Sequence, residues 1–304
     1  MRSLLALAAI LALAPLAIGA LGGYHGLLTE MVIFAIFAIG FNVLLGETGI
    51  LSFGHAAYFG LAGYTMGLVL VHWAWPLWLA MLAGVAVSGA AAVLIGLLIV
   101  RKAGVYFAML TIAFGQMFFF VAMVWKSFTG GEDGLSNIPR STFLGIDISS
   151  PLRFYYFAAV VCLAAAAVAR RLLRSHFGQV LRAIRENEAR CQAVGYDVRR
   201  YKLASFVISA LFAAVAGTLY VLMLRYAFPQ TMDWIRSGSV VVMSLVGGLG
   251  TFFGPIVGAA LITFLNNWVS FHTKYWQLVM GGIFVFFVLF FPRGIWGAVE
   301  GRRR

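Results

Sequence analysis

The chain has 304 residues, 62% of them hydrophobic and only 11% charged, with a formal net charge of +12 and a mean hydropathy of +0.96. That apolar surface exceeds what one soluble core can bury, so most of the chain is expected to lie in lipid as an all-α, polytopic integral membrane protein. The positive charge does not imply nucleic acid: it falls in short clusters at the ends of apolar runs, Arg101-Lys102, Arg170 to Arg174, Arg199 to Lys202 and Arg302 to Arg304, where orientation signals and lipid-headgroup contacts belong.

A span needs roughly 20 apolar residues to cross a hydrocarbon core. The sequence predicts spans near 3–21, 26–45, 50–71, 77–100, 104–125, 153–172, 204–224 and 276–292. A Gly-rich apolar region at 238–265 brings the expectation to about 8–10 transmembrane or half-spanning helices in one domain, 1–304. The first run reads either as a first transmembrane helix or as a cleavable signal peptide ending near Ala17-Ile18-Gly19-Ala20.

Next in the chain comes an irregular stretch, Gly46 to His55, which puts Glu47, Ser52 and His55 beside or inside apolar sequence, with Asn42 just before it. Farther on, Gly63-x-x-x-Gly67 permits close helix packing. Gln116 stands inside an apolar run, where a polar side chain is costly and either contacts a solute or bonds a neighbouring helix. The loop 126–152, with Glu132, Asp133 and Asp147, is expected to face outward. Within it, Thr129 to Gly134 reads as a tight turn or a docking point for an outside partner, with too few acidic ligands for a calcium loop.

The long charged segment 173–203 is expected in the cytoplasm because of its excess of Arg and Lys. Phe177, Val180, Leu181 and Ile184 recur at helical spacing, with Arg182, Arg185 and Glu186 on the other side. Asn187 can cap a second short helix, Glu188 to Val194, which Gly195 can end. Two short helices with a turn between them make a knob; the alternative is a basic tether lying on anionic lipid, which would not need the Asn and Gly punctuation. Beyond the next span, Gly247-Gly248-Leu249-Gly250 and Gly254-Pro255 would break an ordinary helix. Irregular backbone at membrane depth is tolerated only where protein or a water-filled cavity covers it. If 238–265 goes in and comes back, the basic tail Arg302 to Arg304 falls on the cytoplasmic side with the knob. Two interrupted segments in the two halves of a chain point to a translocation site, and the candidates there are Asn42, Glu47, Ser52, His55, Gln116, Gly248 and Gly250.

Taken together, RAIRENEARCQAVGYDVRRYK (Arg182–Lys202), GETGILSFGHAAYFGLAGYT (Gly46–Thr65), YFAMLTIAFGQ (Tyr106–Gln116), TGGEDGL (Thr129–Leu135) and VGGLGTFFGPIVGAAL (Val246–Leu261) resemble the permease subunits of ABC importers for branched-chain amino acids, the LivM type. The resemblance covers nearly the whole chain, and close relatives of that family carry urea, amides or aromatic acids. It implies a heterodimeric pore formed with a second permease subunit, two cytoplasmic ATPase subunits, a periplasmic substrate-binding protein and an inner-membrane location. It also implies an ATPase-coupling role for Arg182, Arg185, Glu186, Asn187, Glu188 and Gly195; Cys191 and Tyr196 depart from the small or aliphatic residues expected there.

The residues agree that energy comes from elsewhere. A P-loop needs Gly-Lys-Ser/Thr, and none of Lys102, Lys126, Lys202 and Lys274 follows a glycine. The five histidines show no metal-ligand spacing, and the two cysteines, Cys162 and Cys191, imply neither a metal set nor a disulfide framework. No cofactor and no catalytic residue are expected. The reading from a different class is a secondary transporter coupled to protons or sodium, though no chain of ionisable groups across the spans is evident for it.

Overall fold

The computed structural model describes residues 2–20, 24–140, 142–291 and 294–301. The basic tail Arg302 to Arg304 lies outside the described residues. The described chain is nearly all helix: α1 (Arg2–Ala20), α2 (His25–Asn42), α3 (His55–Trp73), α4 (Leu77–Ile99), α5 (Gly104–Val124), the single turn α6 (Lys126–Thr129), α7 (Pro151–Arg174), α8 (His176–Glu186), α9 (Glu188–Ala193), α10 (Val198–Leu224), α11 (Trp234–Gly247), α12 (Gly254–His272), α13 (Trp276–Phe290) and α14 (Gly294–Gly301). Among the described residues six helices are long and apolar enough to cross a membrane: α2 with its extension to Glu47, α4, α5, α7, α10 and α12; α1, α11 and α13 contribute shorter apolar stretches, and α3, expected as a span near 50–71, is not among the six. The protein is an all-α polytopic membrane protein.

α2 is the central post, buried almost throughout from Leu27 to Asn42. α7, α10 and α12 pack around it, and α3, α4 and α10 pack against one another. Small residues set how closely these helices approach. A side chain at Gly217 of α10 would collide with the Phe59 carbonyl of α3, and one at Gly63 would meet the Gly217 carbonyl at 3.0 Å, so the two backbones touch. α1 belongs to the bundle, with Leu7 and Leu11 buried and its Leu11 carbonyl accepting from the Tyr155 hydroxyl at 2.7 Å.

The bundle has two distinct ends. At one, the loop after α6 bridges the end of α10, with Leu135 and Ala227 exchanging backbone hydrogen bonds at 2.8 and 2.9 Å. Arg140 donates to the last free carbonyls of α10, Leu222 and Met223, and lies 4.3 Å over the Phe154 ring. A two-residue-turn hairpin, β1 (Thr142–Phe143) and β2 (Ile146–Asp147), uses left-handed φ at Leu144 and Gly145. At the other end sit α8, α9 and α14, together with the turn between α11 and α12.

Three interruptions organise the interior. α2 ends in a π-turn, Val43–Glu47; residues 49–54 then run without helix back into the bundle, so α3 starts at His55 rather than near 50. α11 and α12 form the expected pair broken at 248–253. α11 does not begin at the end where α10 stops: residues 225–233, with a 3-10 turn at Pro229–Met232, carry the chain down beside Gly60 of α3 before helix resumes. This third interruption was not anticipated. Gly294 of α14 sits against Gly248, so the last described helix returns to the end that carries α8 and α9.

Candidate functional site

α8 and α9 form the predicted knob with a core of their own. Val180, Leu181 and Ile184 are buried, Cys191 and Val198 close the cluster with Val180 and Ile184, and Phe177 stacks on Tyr201 at 5.7 Å between centroids. Asn187 caps α9, its Oδ1 accepting from the Arg190 amide at 2.9 Å. Gly195 ends α9 with φ of 97°, a left-handed conformation that glycine adopts without strain. Glu186 and Asn187 are exposed, whereas Glu188 binds Lys202 Nζ at 2.6 Å. Lys202 is only 8% exposed, so Glu188 fastens the knob to α10 instead of being wholly free for a partner. The thiol of Cys191, expected to face water, is turned into the knob core.

The basic face of α8 is not simply solvated. Arg182 and Arg185, one turn apart, both reach the end of α2: Arg182 Nε lies 3.3 Å from Glu47 Oε2, and Arg185 donates to the Gly46 carbonyl. The π-turn places that carbonyl and the buried carboxylate on the side facing α8. Thr48 and Ser205 of α10 lock the turn, with 2.7 Å between their hydroxyl oxygens and a Thr48 bond to the Val43 carbonyl at 3.1 Å.

One turn before Gly46, Asn42 carries the connection inward. Its Oδ1 accepts from the Gly250 amide at 2.9 Å and its Nδ2 donates to the Thr251 carbonyl at 3.2 Å. Gly248 and Gly250 have φ of 120° and 72° and supply the turn between α11 and α12. The two interrupted segments read from the sequence therefore do meet, at the knob end. Arg182, Arg185, Glu47, Asn42, Gly248 and Gly250 fall on one line of contacts.

The other predicted residues lie deeper. Ser52 and His55 are fully buried and bonded to one another, Nδ1 to Oγ at 2.8 Å. Edge-on contacts from Phe41, Tyr58 and Phe206 at 5.5, 5.8 and 5.4 Å hold the imidazole in the packed core. Gln116 is half-buried midway along α5 and donates to Asp233 at 2.8 Å. Ser237 accepts the otherwise unpaired Ala56 amide at the start of α3, again at 2.8 Å. The starts of the two interrupted helices, α3 and α11, thus meet inside the bundle beside α5.

Sequence reasoning missed Asp233, Arg236 and Ser237, which fall between the predicted span 204–224 and the Gly-rich region 238–265. Arg236 lies 5.5 Å from the Phe34 ring centre and 5.4 Å from that of Tyr220, with Glu30 nearby. The available signal was an Asp and an Arg three residues apart, just after a proline, between two apolar runs. Among the described residues no group of three or more His, Cys, Asp or Glu side chains is placed to hold a metal ion.

Comparison with known proteins gives a consistent family. The family described as branched-chain amino acid transport system / permease component matches residues 23–288. The high-affinity branched-chain amino acid transport system permease protein LivM of Salmonella typhimurium is 29% identical over 291 residues, covering 88% of this chain and 68% of that protein. LivM of Escherichia coli is 28% identical over 290 residues with the same coverage. The ribose import permease protein RbsC of Haemophilus influenzae is 29% identical over 164 residues, 51% of this chain and 48% of its own. No solved structure matches the chain significantly.

Proposed function

The chain belongs to the family of permease components of branched-chain amino acid transport systems, and we propose that it forms one half of a two-subunit pore through which an ABC importer moves leucine, isoleucine, valine or similar solutes across the bacterial inner membrane. In this reading a second permease subunit completes the pore, two ATPase subunits dock on the knob, and a binding protein delivers solute to the end that carries 126–150. In this reading the knob end is cytoplasmic, and the last described helix, α14, lies on the same side.

The observation that carries the proposal is the unbroken line from α8 to the helix break. A docked ATPase pushes on the exposed Glu186–Asn187 tip. Because α8 and α9 share a core and Glu188 is tied to Lys202, the knob moves as a unit. Arg182 and Arg185 pass the motion to the π-turn of α2, and Asn42 passes it to the Gly248–Thr251 turn. Sub-ångström shifts become discrete rearrangements when they act on packed elements with two arrangements, and an interrupted helix is such an element. Gln116 and Asp233 then lie along the path as polar contacts for a zwitterion, while the apolar walls suit an uncharged side chain.

The test is uptake and binding-protein-stimulated ATP hydrolysis in the reconstituted complex, normalised to inserted protein. Arg185→Ala and Glu186→Ala are each expected to lower both. If both variants keep full transport and full stimulation, the knob is not the coupling element. Uptake that survives loss of ATP hydrolysis while an ion gradient is held would favour an ion-coupled transporter instead.

A further inference from the structure

Between the knob and the start of α5 lies a cavity of about 610 Å³, within the range of sites that take small organic ligands. It is apart from the Asn42–Thr251 contacts. One wall is the non-helical chain after α2, with Ile50, Leu51 and Phe53; the opposite wall is α5. There Val105, Met109 and Ile112 recur at i, i+4 and i+7, making one apolar stripe. Val105 and Met109 are 68% and 61% exposed, so the stripe runs out of the cavity along the open face of the helix.

The rim is cationic. Lys102, Arg185 and Lys202 stand there against a single carboxylate, Glu188. Lys202 already neutralises Glu188, and Arg185 is bonded to the Gly46 carbonyl. The Lys102 ammonium has no ion-pair or hydrogen-bond partner among the described residues, and Arg101 beside it is exposed. A free zwitterionic amino acid fits this chemistry poorly, because the carboxylate that would take its ammonium is already paired. An anion joined to a long apolar chain fits both parts, and it lies where basic pockets at membrane ends bind acidic headgroups.

We propose that this cavity is a binding site for an acidic phospholipid, with its phosphate at Lys102 and Arg185 and one acyl chain along Val105, Met109 and Ile112. Because Ile184, Arg185 and Glu188 of the knob form part of the wall, the lipid braces the knob against α5. Its occupancy sets how firmly the knob is held to the spans. The site does not depend on which solute is carried, so its failure would leave the transport reading standing.

The experiment is native mass spectrometry of the permease complex with its partner subunits, released from nanodiscs containing equal phosphatidylglycerol and phosphatidylcholine. Phosphatidylglycerol is expected to be retained preferentially. Lys102→Ala lowers that retention about fivefold, the effect of one basic contact at a membrane surface. Lys102→Arg restores it, and Lys126→Ala, which removes a lysine at the opposite end, leaves it unchanged. The proposal is overturned by equal retention of phosphatidylcholine, or by equal loss in Lys126→Ala. It is also overturned by absence of retained lipid, the outcome if the partner permease covers this face. Full competition by glycerol phosphate would mean a site for small anions only, and would likewise overturn it.

Discussion

Asn42→Leu separates the knob from the helix break without touching either. Leucine keeps the branched shape of the side chain and adds apolar surface to a position that is 3% exposed, so α2 is expected to stay in place. The substitution removes both bonds to the turn, from the Gly250 amide and to the Thr251 carbonyl. A neutral hydrogen bond contributes about 1 kcal/mol net, so the turn is held less firmly by about 2 kcal/mol, a factor of roughly 30 in the balance between held and released. The full penalty for a buried orphan is not applied, because Gly250 is exposed and its amide can turn to water. The assay is solute uptake per ATP hydrolysed in proteoliposomes, with Asn267→Leu as control; Asn267 makes a single bond to the Tyr24 hydroxyl at the other end of the bundle. Asn42→Leu should leave insertion and ATP hydrolysis near normal while uptake per ATP drops by up to about 30-fold, and should be non-additive with Arg185→Ala. Normal coupling in Asn42→Leu, or an equal loss in Asn267→Leu, refutes the line of transmission.

Glu188→Lys sets two ammonium groups against each other at the mostly buried Lys202, which should destabilise the knob by about 1–3 kcal/mol, between exposed and buried pairs; uptake falls, and Lys202→Glu in the same chain recovers it, unless the pair plays no part. Gly195→Val forces a β-branched residue to φ of 97° with no neighbour in the way, so the cost is backbone strain of roughly 1–3 kcal/mol; faster proteolysis of the knob with unchanged insertion is the expected readout, and Gly195→Asn should be milder. Cys191 should resist a membrane-impermeant maleimide on either side because it is buried, whereas Ala189→Cys should react only in inverted vesicles and Ser136→Cys only in intact cells; the reverse pattern inverts the orientation. Uptake should be competed by leucine and valine and little affected by lysine; strong inhibition by lysine alone would reject an apolar solute.

The knob was legible because its determinants are local. Helical spacing of Val180, Leu181 and Ile184, the Asn187 cap and the terminating Gly195 act within a few residues of one another, and the chain folds there as those residues dictate. The helix breaks at 46–54 and 247–254 were legible for the same reason, since clustered glycines interrupt a helix wherever it lies. What the arginines of α8 touch was not legible. Helical spacing puts Arg182 and Arg185 on a polar face, but whether that face meets water or a carbonyl at the end of α2 depends on a packing more than a hundred residues distant in sequence.

Depth was likewise hidden. Asp233 and Arg236 look like loop charges in the sequence, and they enter the bundle because residues 225–233 descend beside α3 instead of remaining at the surface. That three aromatic rings surround His55 was not legible either, since Phe41, Tyr58 and Phe206 come from three separate helices. Composition and periodicity by themselves determined a lipid-soluble bundle of helices, the spans near 26–45, 77–100, 104–125, 153–172 and 204–224 and the capped knob, since a hydrocarbon solvent demands apolar length and satisfied backbone bonds. Only the tertiary structure decided that Asn42, Gly46, Glu47, Arg182, Arg185 and Gly250 form one connected junction, because hydrogen bonds between distant segments follow from how helices pack, and packing is a property of shapes in contact that no single segment carries.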